Sequence, residues 1–396
     1  MTVGPQRWAY PALMGIIMLG LGISGAPSPL YGMYAEEWGY RPITTTVVFA
    51  AYAAAALIAV LASGSISDRY GRRPLLIAAT SGLVLGLVVF MVASAAWMLI
   101  VARVIHGLSV GTVVVVSSAA LLDLRPDEGA ATGRRTGIAF NIGISVVIVL
   151  TSVHAEYGPA PLVVPYAVLA VLSAIALAAV LAMRETHTED RAVTLHVARP
   201  QVPADIAADF RFAAIGVMAS WSVLGVLLSL YPTLASVAVG ADNLVFGGFI
   251  VGGSAAAAAV SQQVAARWPA RPAAIAGDLG TAVSLGLCVL AIHVGDAIWV
   301  SAASLILGFF FGFAFGSSLR HLGQVIPAAH RGEVMSAFYV LAYGSMAVPT
   351  ILAGAAATVW GVEAIFAPFM ACVAAASLLA AFLGSRVAHE PETPSA

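Results

Sequence analysis

The feature that most limits how this chain can fold is a series of twelve long apolar stretches. Each holds about 20 mostly apolar residues, the length at which an α-helix crosses the hydrocarbon core of a bilayer. Because every backbone polar group must be paired inside lipid, we predict that each stretch is a helix. The predicted spans 1 to 12 cover residues 9–31, 43–63, 75–95, 98–122, 136–154, 162–183, 212–238, 245–266, 273–294, 297–320, 334–357 and 362–384.

The composition also indicates a protein embedded in a lipid bilayer. Hydrophobic residues make up 61% of the 396 residues and charged residues only 9%, whereas a soluble domain carries about 25% charged residues. A soluble fold of this size would lack the polar surface needed to cover it. We therefore predict an all-α integral membrane protein, and the composition argues against a soluble enzyme.

The charges predict the orientation and argue against a nucleic-acid partner. The 18 basic residues are all arginine and are balanced by 19 acids, so no positive field exists to attract nucleic acid. With a cytoplasmic N-terminus, sixteen arginines fall on the cytoplasmic side and only Arg41 falls outside. This bias predicts a multi-pass protein of the cell (inner) membrane with both termini in the cytoplasm.

Residue types that support catalysis are scarce. Cys288 and Cys372 lie in apolar runs, and no His, Asp or Glu cluster has the spacing of metal ligands. The ATP-binding pattern G-x-x-x-x-G-K-[ST] needs a lysine, and the chain has none. We expect no metal, no cofactor and no catalytic residues, and hence no enzyme.

The chain divides into two similar halves. Residues 184–211 form the only long aqueous segment, which we interpret as a cytoplasmic linker between six-helix bundles at residues 1–183 and 212–396. A shift of 198 residues superposes the start of span 3 on that of span 9, and of span 5 on that of span 11. Parallel halves around a central site are typical of transporters.

The loop between spans 2 and 3 carries a family signature. Residues 64–76 read GSISDRYGRRPLL, which resembles the G-x-x-x-D-R-x-G-R-R loop of the major facilitator superfamily. The resemblance implies that superfamily's fold of two pseudo-symmetric six-helix bundles, and the motifs are most similar to those of twelve-helix drug/proton antiporters. It also implies that the loop and span 11 form a latch that stabilises one of two conformations. A positive loop that only sets orientation is the alternative.

The latch prediction names particular residues. A carboxylate at position 68 can accept hydrogen bonds from the N-terminus of another helix, which the family analogy places in span 11. At the end of span 4, Asp123 is expected to pair with Arg72 or Arg69. The predicted latch residues are Gly64, Asp68, Arg69, Gly71, Arg72, Arg73 and Asp123.

Span 4 contains the residues expected to couple transport to protons. A charge such as Arg103 within a span is unfavourable unless it is paired or hydrated, so such residues usually have a function. The segment resembles the R-x-x-Q-G motif of proton-coupled family members, with His106 in place of the glutamine. Histidine titrates near neutral pH and could carry a proton itself.

The acid that completes the proton pathway stays open. Glu36 and Glu37 follow span 1 and could approach Arg103, although they could equally be hydrated loop acids. In span 9, Asp278 is the only acid well inside a span, and we expect it to pair with a nearby arginine. The candidate arginines are Arg267, Arg271 and Arg320.

By family analogy, spans 1, 4, 7 and 10 line a central cavity. Span 5 lacks the G-x-x-x-G-P-x-x-G-G motif usual in the drug/proton antiporters, which weakens the antiporter assignment. A mostly aromatic cavity with few fixed charges suits a neutral hydrophobic molecule, and ordinary helix packing is the alternative role for each residue. The predicted cavity residues are Asn141, Trp221, Ser222, Tyr231, Phe311, Phe315, Tyr339 and Tyr343.

Together these features predict a monomeric secondary transporter that works by alternating access. Its predicted activity is proton-coupled efflux, by antiport, of a small lipophilic or aromatic drug or metabolite. A proton-coupled importer of an organic or aromatic acid is the alternative, but no arginine lies at mid-depth to hold a carboxylate. A non-transporting membrane sensor or an intramembrane enzyme is the alternative of another class.

Overall fold

The computed structural model describes residues 6–187, 200–241, 243–327 and 330–387. Within them it is all-α, and twelve helical segments are long and apolar enough to cross a membrane. The α-helices are α1 (Ala9–Gly25), α2 (Tyr31–Trp38), α3 (Pro42–Tyr70), α4 (Arg72–Met91), α5 (Ala96–Leu124), α6 (Gly129–Tyr157), α7 (Val164–Ala182), α8 (Ala207–Ser229), α9 (Tyr231–Val239), α10 (Leu244–Ala265), α11 (Ala270–Val294), α12 (Ala297–Val325), α13 (Arg331–Trp360) and α14 (Val362–Arg386).

The twelve predicted spans all coincide with helices, which confirms the predicted fold class. Several helices continue beyond the hydrophobic stretch that predicted them: α3 runs from the predicted end at residue 63 to Tyr70. Hydropathy marks where a helix leaves the hydrocarbon, whereas the hydrogen-bonded helix continues into the polar zone. For the same reason α8 begins at Ala207, so residues 207–211 of the predicted linker are helical. Linker residues 188–199 lie outside the described residues.

Spans 1 and 7 are interrupted helices, whereas the sequence predicted continuous ones. Span 1 consists of α1 and α2, separated by a short 3-10 turn at Ser28–Leu30 that is flanked by Pro27. Span 7 consists of α8 and α9, which meet at Leu230 just before Pro232. Proline lacks an N–H donor and clashes with the preceding helical turn, which explains both interruptions.

Helices pack mainly within each half of the chain. In the first half α3 and α4 pack on α5, α1 packs on α6, and α4 packs on α7. In the second half α10 and α11 pack on α12, while α13 and α14 pack on α8. The principal contacts between halves are α6 with α10 and α3 with α13. We call the end of the bundle that carries residues 64–74 the motif end, and the other the opposite end.

Helices α3 and α13 contact each other closely at the opposite end. The amide of Ile43 donates a hydrogen bond to the hydroxyl of Thr358 at 3.1 Å, and Thr46 packs against Gly354. Towards the motif end of α3, nothing among the described residues outside its own helix lies within 4 Å of where a side chain on Gly64 would begin. Helix α3 therefore contacts α13 near its start, whereas its surface at Gly64 is uncovered.

The two interrupted helices meet at their interruptions, on opposite sides of the boundary between the halves. The hydroxyl of Ser28 donates a hydrogen bond of 2.8 Å to the carbonyl of Leu228, and both residues are buried. Nearby, Gly32 faces Thr233 across the same boundary. Since both backbones are irregular here, this crossing is the place where the halves can change their relative angle with least loss of helical hydrogen bonds.

Candidate functional site

The motif loop turns sharply at Gly71. Its φ of +92° and ψ of 162° fall in a region that L-residues avoid, and this conformation lets α4 begin at the very next residue. A Cβ at this position would also lie 2.6 Å from a carboxylate oxygen of Glu185. The turn and the close approach each require glycine at this position.

The side chain of Arg72 joins three helices at the motif end. Its guanidinium lies 2.5 Å from an oxygen of Asp68 on α3 and 3.3 Å from one of Asp123 on α5, and it also donates to the hydroxyl of Ser67. Asp123 was expected to pair with Arg72 or Arg69, and the structure forms the pair with Arg72. The guanidinium of Arg69 lies over the ring of Tyr70 at 5.6 Å. Buried to 7% exposure, Arg72 fixes the start of α4 against its neighbours.

The latch contact expected between Asp68 and span 11 is not formed in this conformation. Among the described residues Asp68 accepts its hydrogen bond from Arg72 and none from the first turn of α13, which begins at Arg331. Its side chain is 44% exposed, and the space beside neighbouring Gly64 is open. The ion pair with Arg72, which occupies this carboxylate, is the physical reason.

A residue that sequence reasoning missed, Glu185, caps α4. One carboxylate oxygen accepts the amide of Arg72 and the other that of Arg73, each at 2.9 Å. The guanidinium of Arg73 in turn donates to the carbonyl of Leu181 at 2.6 Å. A carboxylate at a helix N-terminus satisfies free amides and matches the helix dipole. Two sequence features could have indicated this cap: an acid follows span 6, and the glycine before α4 has no side chain that could cap the helix.

Arg103 is buried in an aromatic cage rather than in a salt bridge. It is 1% exposed, and its Nη1 donates to the carbonyl of Ser24 at 2.7 Å. The guanidinium carbon lies 4.7 Å from the ring centre of Tyr52, 5.6 Å from that of Phe49 and 5.9 Å from that of Tyr31. Among the described residues no carboxylate forms an ion pair with it, and its Nε has no hydrogen-bond partner.

This cage contacts both sides of the interruption in span 1. Ser24 lies in the last turn of α1, and Tyr31 begins α2. Each cation–π contact contributes about 0.5–2 kcal/mol, more when water is excluded, so the rings offset part of the loss of hydration of Arg103. A change in the cage therefore acts directly on the hinge in span 1.

The acids proposed as partners of Arg103 lie elsewhere. Both Glu36 and Glu37 are exposed at the end of α2, and neither forms an ion pair with Arg103 within the described part of the chain. Because both carboxylates are exposed, water stabilises their charge without any contribution from Arg103. The expectation that they approach Arg103 is therefore wrong for this conformation.

His106 faces a different neighbour from Arg103. The ring is fully buried, packs 5.3 Å from the ring of Phe90 and lies against Gly86, both on α4. Neither ring nitrogen has a hydrogen-bond partner among the described residues. Although three residues apart on α5, the two side chains point into separate surroundings.

The expected arginine pairing of Asp278 is wrong. This residue on α11 is 1% exposed, and neither carboxylate oxygen has a partner in the described ranges. The Nε of Arg271 donates instead to the carbonyl of Gly384 at 2.8 Å, and Arg320 donates to the carbonyls of Ala265, the last residue of α10, and of Trp268. In the described part of the chain Arg267 forms no ion pair with Asp278 either. The arginines are satisfied by helix ends, which leaves the acid alone.

Four predicted cavity residues form one aromatic group, and a fifth lies one turn away on the same helix as one of them. The Trp221 ring on α8 meets Tyr343 on α13 edge-on at 4.8 Å and Phe315 on α12 at 5.6 Å. A stacked pair at 6.3 Å adds Phe311, and Tyr339 lies one turn from Tyr343. All except Trp221 are partly exposed, and the indole N–H of Trp221 has no hydrogen-bond partner among the described residues. The group can stack an aromatic molecule, and the indole N–H and the tyrosine hydroxyls can donate hydrogen bonds to it.

Three other predicted cavity residues serve helix packing. The hydroxyl of Tyr231, a fully buried residue, pairs with Ser304 at 2.8 Å. Ser222 donates to the carbonyl of Ser345, and Asn141 donates to a carbonyl of its own helix. Because all three are buried with their polar groups satisfied, their assignment to the cavity wall is corrected here.

An apolar groove of about 880 Å³ lies elsewhere, between α1, α6 and α7. Its walls include Leu150, Val168 and Ile175, which are more than half exposed. None of the predicted cavity residues lines it. In a bilayer, such a surface faces lipid chains.

Metal-binding groups are not assembled in the described residues. No set of three or more His, Cys, Asp or Glu side chains is placed to hold an ion. Cys288 is buried and Cys372 is exposed, and both are free thiols.

Comparisons with known proteins agree on one family. The model of the Major Facilitator Superfamily matches residues 12–350. The human organic anion transporter MFSD10 (TETRAN) is similar in structure, with a TM-score of 0.69 and 16% identity over 96% of this chain and 100% of that one. A mutant of the nucleoside transporter NupG also has a TM-score of 0.69, with 14% identity over 95% of this chain and 99% of that one. At such identities the likeness shows the fold. A search of curated proteins gives no significant match.

Proposed function

We propose, from the premise that the chain belongs to the major facilitator superfamily, that it exports a small lipophilic or aromatic compound in exchange for protons. The chain is a multi-pass membrane transporter and not an enzyme. Direction, coupling ion and substrate class are the parts that we propose. A single copy of the chain is proposed to suffice for transport.

The observation that carries the proposal is the caged Arg103. No carboxylate of the described residues balances this buried guanidinium, so a proton bound elsewhere within the membrane spans interacts with it through a medium of low dielectric constant. Because the cage joins Ser24 and Tyr31, on either side of the interruption in span 1, binding of that proton favours one angle of this helix over another. The rocking motion that exposes the site to each side in turn then follows the proton.

The contacts between the halves support alternating access. Helices α3 and α13 meet at the opposite end, at Ile43 and Thr358, and the space beside Gly64 is open at the motif end. We assign the motif end to the cytoplasm because sixteen of the 18 arginines belong to that side. The described conformation is then open to the cytoplasm, and Asp68 is available to accept amides from α13 when that side closes.

The substrate class follows from the aromatic group. The rings of Trp221, Phe315 and Tyr343 offer stacking surfaces, and no arginine or acid of the described residues forms part of this group. A neutral aromatic molecule loses little hydration there, whereas a carboxylate would lose much. An importer of organic acids would need a free cation in this place, and Arg103 is enclosed by its cage.

The test uses purified protein in liposomes with an imposed pH gradient. Radiolabelled chloramphenicol serves as a neutral aromatic probe, with benzoate as an aromatic acid and uridine as a nucleoside. An antiporter accumulates its probe when the lumen is acidic, and a symporter when the outside is acidic, whichever way the protein is inserted.

We expect chloramphenicol to accumulate in acidic liposomes. Arg103→Gln should abolish this accumulation, and Arg41→Gln, which removes an exposed arginine, should leave it intact. Accumulation of benzoate driven by external acid, beyond the passive uptake of protein-free liposomes, would establish the importer instead. If no gradient drives any probe, proton coupling is refuted.

A further inference from the structure

A second buried ionisable centre lies in the other half of the molecule, far along the chain from Arg103. The Nε2 of His321 on α12 lies 2.8 Å from a carboxylate oxygen of Asp209 on α8, and the side chains are 0% and 4% exposed. The His321 ring also lies 5.6 Å from that of Phe212. The second ring nitrogen of His321, Nδ1, has no partner among the described residues.

Asp278 stands on the same face of α8 as this pair. Gly216 follows Asp209 by seven residues, or two helical turns, which places it about 10 Å further along the helix. A Cβ on Gly216 would lie 2.9 Å from the Oδ1 of Asp278, so glycine is required for the carboxyl to reach α8. The carboxyl group of Asp278 therefore stands two turns deeper than Asp209.

The facing helix α12 gives the same register independently. Next to Asp278 on α11, Gly277 packs against Ala314 of α12. His321 follows Ala314 by seven residues, again two turns nearer the motif end. Both neighbouring helices thus place the pair directly below Asp278, on the side facing the motif end.

Unpaired hydroxyl groups surround this column. Ser317 and Ser318 lie on α12 between Ala314 and His321, and Thr281 lies one turn beyond Asp278 on α11. On these two helices and on α8 and α14, five such hydroxyls are buried with no partner in the described ranges: Thr281, Ser220, Ser317, Ser318 and Ser377. Buried polar groups are normally paired, and such a run indicates a path that small polar species enter.

The other charged groups on the helices around Asp278 are held elsewhere. Helices α8, α9, α12 and α14 pack against α11. Arg211 on α8 donates to its own helix, Arg320 on α12 donates to carbonyls at and just after the end of α10, and Arg386 on α14 lies over Phe382 at 4.6 Å. Glu363 of α14 is exposed at the opposite end.

The remaining titratable groups on α9 and α11 do not pair with Asp278 either. On α9, Tyr231 is bonded to Ser304. On α11 itself, Arg271 donates to the far end of α14, Cys288 is buried and His293 is exposed. In the described residues none of these groups forms an ion pair with Asp278, so no charge is present to balance an ionised carboxylate there.

We propose that Asp278 binds the transported proton and that the Asp209–His321 pair delivers it from the motif end. An ionised carboxyl group with no partner inside a membrane span is unfavourable by several kcal/mol, whereas a protonated one is neutral, and the unpaired hydroxyl of Thr281 lies one turn away on the same helix. The proton binds at the free Nδ1 of His321, leaves that ring, and crosses the hydroxyls of α12 to the carboxylate. This inference rests on the proton coupling proposed above and names its site.

The experiment compares the full-length wild type with Asp278→Asn in liposomes, with Asp205→Asn as a control that neutralises an acid at the motif end. The asparagine mimics the protonated carboxyl group and is expected to preserve the fold. Two readouts use radiolabelled chloramphenicol: accumulation driven by a pH gradient, and exchange without a gradient. A third, on protein without substrate, follows the infrared band of protonated carboxyl groups during a pH titration.

We expect Asp278→Asn to lose gradient-driven accumulation entirely, to retain exchange, and to lack one titrating carboxyl band. Thr281→Val, a milder change, should shift the frequency of that band, which keeps the inference testable if Asp278→Asn fails to fold. Accumulation that persists in Asp278→Asn, an unaltered infrared titration, or a sodium gradient that replaces the pH gradient would each overturn the inference. If the wild type ignores the pH gradient, the proposed function fails, and the infrared titration still decides whether Asp278 binds a proton.

Discussion

Replacing Glu185 with alanine tests how the motif loop is held. Its carboxylate accepts the first two amides of α4 at 2.9 Å each, and alanine leaves both without an acceptor. Loss of a helix cap reduces stability by about 1 kcal/mol, and loss of a favourable charge at a helix N-terminus by about 0.3–1 kcal/mol more. We therefore expect a loss of about 1–2 kcal/mol, equivalent to a melting temperature about 1–2 °C lower if the whole chain melts as one unit.

The chain contains its own reporter for this measurement. Cys288 is buried and Cys372 is exposed, so in a Cys372→Ser background a thiol-reactive dye reports unfolding through Cys288 alone. Glu185→Gln retains one carbonyl acceptor and should show roughly half the effect, while Asp127→Ala removes an exposed acid of the same end and should show none. If Glu185→Ala melts with the wild type, the carboxylate does not hold α4 and the reasoning is refuted.

Three further predictions follow from the same contacts. Gly71→Ala should lower the melting temperature in the thiol assay, because a φ of +92° at this position costs an L-residue about 1–3 kcal/mol. The double variant with Glu185→Ala should lose less stability than the sum of the single variants, because the Glu185 side chain that the new Cβ would contact is then absent. Strictly additive losses would contradict this. Trp221→Ala should weaken chloramphenicol binding in equilibrium dialysis far more than Trp221→Phe, which keeps a stacking ring; equal losses would remove Trp221 from the site. Hydrogen bonds from Arg135 and Arg125 lower the pKa of Glu128, so the stability that Glu128 contributes is lost as the pH falls through that pKa. In thermal melts, Glu128→Gln should therefore lose less stability than the wild type on acidification. Identical pH profiles for the two proteins would refute this contribution.

The helices were predictable because lipid imposes a simple rule. Any stretch that crosses the hydrocarbon must be apolar and helical, so twelve hydropathy peaks correspond to twelve membrane-spanning helical segments. The interruptions at Ser28 and Leu230 were less visible, because proline is common in membrane helices and only neighbouring contacts decide whether it breaks one. Here the hydrogen bond from Ser28 to Leu228 fixes both irregular segments, and it joins residues 200 positions apart.

The site was predictable only where a motif covers it. The turn at Gly71 and the pair of Arg72 with Asp123 follow from local spacing and from charge. Asp209 was assigned to the linker, because hydropathy cannot distinguish a carboxylate in water from one that is buried against a histidine. The missing partner of Asp278 was equally invisible, since sequence shows which arginines are near but not that helix ends already occupy them.

The contact between Glu185 and α4 shows the same limit. It joins the end of span 6 to the start of span 3, over more than a hundred residues. Nothing in the local pattern of either segment identifies the other as its partner. Such contacts become visible only when the packing of α4 against α7 is known.

Reciprocal motion at the two ends of the bundle is the central claim, and paired spin labels measure it directly. In a variant without native cysteines, one label pair at Tyr70 and Arg331 spans the motif end, and a second at Arg41 and Trp360 spans the opposite end. As the pH is changed in liposomes, we expect one distance to shorten while the other lengthens. The described conformation corresponds to the state in which the label pair at the motif end is farther apart. Distances that stay fixed at both ends, or that change in the same direction, would contradict alternating access.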